Sequence, residues 1–145
     1  MVIASSSNEN NYLYTMNQTI IHAEHAVQFS MDDKQFFIII RKTFSALEHC
    51  IDQWNIKHDL VIDINTEANV FEIEFENLKK IILNSQPPMH ELWMASELGA
   101  YHFSYDLQEN VWQDTRGNGP FEDIFFRDSV RLSGIDFVIE SLNIY

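Results

Sequence analysis

From Met31 onward the apolar positions fall at helical spacing. Phe36, Ile40, Phe44, Leu47, Ile51 and Trp54 recur at steps of three and four, which predicts a long amphipathic helix with one face in the core. Ser30 or Asp32 stands where a cap is needed, and Asp32 and Asp33 suit the positive end of the helix dipole. Phe37, Ile38 and Ile39 widen the apolar stripe, so another part of the chain, N-terminal or C-terminal, is expected to cover them. Glu48 and Asp52 lie four apart on the outer face, where their charges repel mildly.

After residues 55–58 the period drops to two. In 59–65, Leu60, Ile62 and Ile64 alternate with Asp59, Val61, Asp63 and Asn65; in 70–76, Phe71, Ile73 and Phe75 alternate with Glu72, Glu74 and Glu76. Both read as antiparallel strands wet on one side. A third strand at 79–84 follows a tight turn at 76–78. The stretch 84–103, NSQPPMHELWMASELGAYHF, then reads as a Pro-Pro turn and two strands broken at Gly99. Val111, Trp112 and Gln113 make a further short strand. The breakers at 114–120 end the sheet, with Pro120 suited to a first helical turn. Phe121, Ile124, Phe125, Asp128 and Leu132 predict a second helix stopped by Gly134, and the tail 135–145 is apolar enough to pack back on the domain. Helix, about six strands, helix gives an α+β two-layer sandwich: both helices on one face of an antiparallel sheet, the other face open. Trp54 and Trp112 are assigned to the core and Trp93 to the open face, where Asn84, Gln86 and His90 join it as a candidate recognition surface. His102 is read as structural, and Asp114 and Arg116 as a pair that fixes their turn.

Composition narrows the partners. With 22 acidic residues against 9 basic ones and a net charge of -13, the chain is ill suited to nucleic acid and suited to cations or basic protein surfaces. No apolar run approaches a membrane span, and no Lys or Arg precedes Lys34, so neither a secretory signal nor a transit peptide is recognised; a cytoplasmic location is expected. Residues 1–30 read as a loosely ordered extension and 31–145 as the domain. Within the extension, 19–29 is a candidate helix whose His22 and His25 lie three apart, without a carboxylate or cysteine framework to make them a metal site. The single cysteine, Cys50, reads as a small buried hydrophobe.

The motif Asn84-x-Gln86-x-Pro88-x-x-x-x-Trp93, followed by Trp112-x-Asp114-x-Arg116-Gly117 and then Phe121 opening a helix, resembles the frataxin family, specifically its bacterial CyaY type. The similarity runs over about 31–134 in element order. It implies a small non-enzymatic regulator of iron-sulfur cluster assembly that binds Fe2+ and Fe3+ weakly on an acidic ridge and docks on the cysteine desulfurase and its scaffold protein. Carried onto this sequence, the ridge is Glu48 and Asp52 on the helix and Asp59 and Asp63 on the first strand, with Asp33 near the helix start and His49 standing in for a missing carboxylate. Ridge positions that are usually acidic in bacterial members are His49, Gln53, Val61 and Arg41 here, so the ridge is thinned. Carboxylates on a convex, wet edge are hard oxygen ligands that leave most of the coordination to water, which implies weak and unselective binding. A monomer or an iron-dependent oligomer is expected. The alternatives are ferroxidase or iron-storage activity at the same ridge, and an interaction module that has lost its metal.

Overall fold

The computed structural model describes residues 30–144; the expectations for 19–29, His22 and His25 lie outside them. Helix α1 spans Asp33–His58. Strands β1 (Asp63–Glu67), β2 (Val70–Glu74), β3 (Lys80–Gln86), β4 (Glu91–Ser96), β5 (Gly99–Asp106) and β6 (Val111–Asp114) follow, and helix α2 (Phe121–Ser133) closes the domain. The strands form one antiparallel sheet in sequence order, so every connection is a hairpin and no crossover is needed. This is the expected two-layer α+β architecture.

Asp32 is the residue that caps α1. Its side chain accepts from the Gln35 backbone N–H at 2.7 Å while Gln35 Oε1 accepts from the Asp32 N–H at 3.0 Å, a reciprocal capping box. The buried stripe of α1 departs from expectation at one place: it runs through Thr43, which is fully buried, while Phe44 is only half-buried and lies 5.0 Å from the Phe71 ring. The cause is Trp112. Its indole is buried under α1 and its N–H donates to Thr43 Oγ1 at 2.9 Å. An orphaned buried N–H costs about 1–3 kcal/mol, more than the roughly 0.8 kcal/mol that one further methylene would gain, so a hydroxyl occupies the centre of the stripe.

The side chains of Phe71, Leu83 and Met94 are aligned across β2, β3 and β4 and face the helices. Phe121 of α2 meets Phe103 of β5 edge-on at 5.3 Å, and Arg127 Nη2 donates to Tyr101 Oη at 2.8 Å, which ties α2 to the same strand. Pro120 sits at the N-cap position of α2, one residue earlier than its expected place in the first turn. The tail packs back as predicted. Phe137 stacks on Trp54 at 3.8 Å, Trp54 Nε1 donates to the Val138 carbonyl at 3.1 Å, and Leu142 is buried. These contacts place the tail on the helix side and leave the opposite sheet face, within the described residues, without a covering element.

The first strand starts later than its alternation suggests. Asp59 has φ 54° and ψ 55° and terminates α1 as its C-cap. Asn55 then bonds Ile62 twice, accepting from its N–H at 2.8 Å and donating to its carbonyl at 3.1 Å, while Glu76 takes the Val61 N–H at 2.8 Å. Side chains satisfy the backbone of Val61 and Ile62 in place of a neighbouring strand, and the Leu60 N–H donates to the Asn55 carbonyl, so pairing begins at Asp63.

Candidate functional site

Two surfaces carry the residues singled out in the sequence. On the open sheet face, Asn84 pairs with Trp93 across β3 and β4, and Trp93 pairs with His102 across β4 and β5. Trp93 is half-buried, and its indole lies flat on the His102 imidazole, with centroids 3.9 Å apart and planes 5° apart. The indole N–H donates to Glu91 Oε1 at 2.8 Å. Asn84 Oδ1 accepts from Gln86 Nε2 and from Asn69 Nδ2, both at 3.3 Å, so the amides beside the tryptophan are also linked. Ile82, Ala95 and Ala100, aligned across β3, β4 and β5, form the adjoining row and floor a shallow apolar depression walled by Trp93 and His102. His102, expected to be structural, therefore belongs to the exposed face, where more than a third of its side chain is accessible.

His90 is not part of that plane. It ends the short 3-10 turn Pro87–Met89 in a left-handed conformation, stacks on Phe36 at 5.2 Å and meets Asp33 with 2.6 Å between Nε2 and Oδ1. One residue assigned to the partner surface and one assigned to iron thus contact each other at the start of α1. Glu48 lies 15 residues further along the helix, about 22 Å away at 1.5 Å per residue, so Asp33 stands apart from the acids at the other end.

The second surface is the acidic edge. Glu48, Asp52, Asp59 and Asp63 are all exposed, the first two one turn apart on α1, the third at its C-cap and the fourth opening β1. Asp63 is opposite Glu74 on β2, which adds a fifth acid beside the predicted set. Glu76 is occupied by the Val61 N–H. His49 lines a depression between α1 and the tail together with Cys50, Gln53, Lys57 and Glu140. Among the described residues no three His, Cys, Asp or Glu side chains converge as a metal cage. The donors are hard oxygens displayed side by side, a set that fits a hydrated divalent or trivalent cation held by outer contacts.

Two other sequence features resolve into structure. Cys50 is half-buried rather than fully buried as expected; that burial pushes its thiol up to about 12, reinforced by the nearby Glu122 and Glu140 carboxylates. Asp114 fixes its turn without an ion pair to the Arg116 guanidinium: Oδ2 accepts from the backbone N–H groups of Arg116 and Asn118 and from Asn118 Nδ2.

A frataxin-like domain model matches residues 29–131. The chain belongs to the frataxin family. Among curated proteins, the iron-sulfur cluster assembly protein CyaY of Paracidovorax citrulli is 35% identical over 111 residues, covering 77% of this chain and 99% of that protein. The protein of the same name from Bordetella avium is 31% identical over 109 residues, covering 75% and 98%. Among solved structures, frataxin from Psychromonas ingrahamii superposes with a TM-score of 0.60 at 23% identity, over 77% of this chain and all of that one. Yeast frataxin gives a TM-score of 0.55 at 22% identity, over 68% and 80%. The frataxin fold and family expected from the motif are thereby established, and the matched region stops short of the tail that packs on Trp54.

Glu91 and Glu74 are not among the candidate site residues of the sequence, and His102 is taken there as structural. For His102 a signal existed: a two-residue turn at Glu97 and Leu98 makes paired positions sum to 195, which puts residue 102 opposite residue 93.

Proposed function

We propose that this chain is a small, non-enzymatic adaptor of iron-sulfur cluster assembly. Its relatives bear that name, and family membership carries the role across. In this reading the sheet face around Trp93 docks on the scaffold protein, with Asn84 and Gln86 supplying polar contacts and His90 at the margin. The acidic edge, Glu48, Asp52, Asp59 and Asp63, receives Fe2+ or Fe3+ weakly and meets a basic patch on the cysteine desulfurase. His49 and Asp33 are peripheral to it.

The observation that carries the docking half is the half-exposed Trp93 held flat against His102 on a sheet face with no covering element among the described residues. A large aromatic displayed in a fixed pose is the kind of side chain that concentrates binding energy in interfaces. Support for weak iron binding is the exposure of the edge carboxylates, whose hydration a cation must share. The test is cluster formation on the scaffold, followed by absorbance with desulfurase, cysteine and Fe2+. The full chain changes the rate and Trp93→Ala removes the change. A rate identical with and without the chain refutes the proposal. Oxygen consumption on adding Fe2+, against a buffer control, separates the adaptor from a ferroxidase.

A further inference from the structure

The contacts of Trp93 go beyond what display of an aromatic requires. Its indole is constrained in two independent directions: Glu91 Oε1 holds the edge through Nε1–H at 2.8 Å, and His102 holds one face through a parallel stack at 3.9 Å. Both restraining side chains lie on the open face, on β4 and β5, and His102 keeps 37% of its side chain accessible. Glu91 is the more enclosed of the two, with 16% accessible, and its Oε1 is also 3.9 Å from His102 Nδ1, so the three groups form one unit. The same rings wall the apolar depression over Ala95 and Ala100, whose floor is aliphatic.

We propose that Glu91 and His102 are positioning residues that pre-organise Trp93 for the partner, a deeper reading that rests on the docking surface proposed above. The physical reason is that a side chain ordered only on binding loses rotamer freedom at that moment, whereas one already ordered does not. The occupant is a protein segment that places an aliphatic side chain over Ala95 and Ala100, against the edges of the two rings. Charge complementarity selects a basic segment: Glu67, Glu72 and Glu74 stand on β1 and β2 of the same face against one lysine, Lys80, which bridges Glu72 and lies opposite Glu74.

Ring geometry and hydrogen bonding can be separated from charge by conservative variants. His102→Phe keeps a ring for the stack; His102→Ala does not. Glu91→Gln keeps an oxygen acceptor for the indole N–H; Glu91→Ala does not. Binding of each full-length variant to the scaffold protein is measured by calorimetry, with Trp93→Ala alongside. In parallel, the Trp93 indole N–H cross-peak is followed by NMR without partner. The proposal expects His102→Ala and Glu91→Ala each to weaken binding about fivefold and to shift and broaden the indole cross-peak, while thermal midpoints stay near the parent. His102→Phe and Glu91→Gln stay within about twofold. If Trp93→Ala abolishes binding but both alanine variants bind like the parent, pre-organisation is wrong and the docking surface stands. A scaffold affinity unchanged by Trp93→Ala overturns both. Loss of binding in His102→Phe equal to that in His102→Ala overturns the ring-stack role and assigns His102 a direct polar contact.

Discussion

The open sheet face and the acidic edge sit on one platform and are built in opposite ways. Around Trp93 each polar group has a neighbour: the indole with Glu91 and His102, Asn84 with Gln86 and Asn69. Along the edge, Glu48, Asp52, Asp59 and Asp63 point into solvent as separate carboxylates. The first arrangement is rigid before anything binds, so it can discriminate by shape. The second has no such pre-set geometry, and cation binding proposed there would act through summed charge, discriminate poorly and be sensitive to salt. In the proposed function, specificity and cation attraction are thus divided between two surfaces.

That division can be attacked at several strengths. The largest effect is expected from Phe137→Ala, which removes the ring stacked on Trp54 and destabilises the whole domain by about 3–5 kcal/mol in denaturant unfolding. Both surfaces then fail together, which calibrates what a purely structural lesion looks like. Trp93→Ala is next. It costs about 2–4 kcal/mol of scaffold binding by calorimetry, with unfolding free energy changed by less than roughly 1 kcal/mol. A stability loss as large as its binding loss would make Trp93 a core residue instead. Asp52→Asn, an edge variant, lowers Fe2+ affinity about two- to threefold and leaves scaffold binding unchanged.

The effect with the least bearing on either surface concerns Cys50. With its thiol pKa raised to about 12, almost no thiolate is present at pH 8, so iodoacetamide labels the folded chain at least a hundredfold more slowly than the urea-unfolded one. The sign for stability follows from the same shift. The unfolded thiol ionises near 9.0 and the folded one near 12, so the contribution of Cys50 is complete below pH 9 and is lost progressively from there to pH 12. Fast labelling at pH 8 would mean that the tail does not hold over α1.

The division also explains what the sequence disclosed and what it hid. Element order, the open face and Trp93 were legible because periods of 3.6 and 2 and the turn residues act locally. Thr43 was not, because its place in the stripe is dictated by an indole N–H 69 residues away. Asp59 looked like a strand residue because alternation alone cannot register that Asn55 satisfies the backbone of Ile62. The acids of the edge could be named one by one, yet whether they converge is a property of the fold. His102 was missed through arithmetic rather than physics, since the hairpin register was computable from its turn.

The most direct test of two separate surfaces is a single titration of 15N-labelled protein with Fe2+ followed by the scaffold protein. The amides of Glu48, Asp52, Asp59 and Asp63 should broaden as Fe2+ is added while the Trp93 indole N–H and the His102 amide stay in place, and the scaffold should then move the latter two. Perturbation of Trp93 and His102 at the same Fe2+ concentration as the edge would contradict the account.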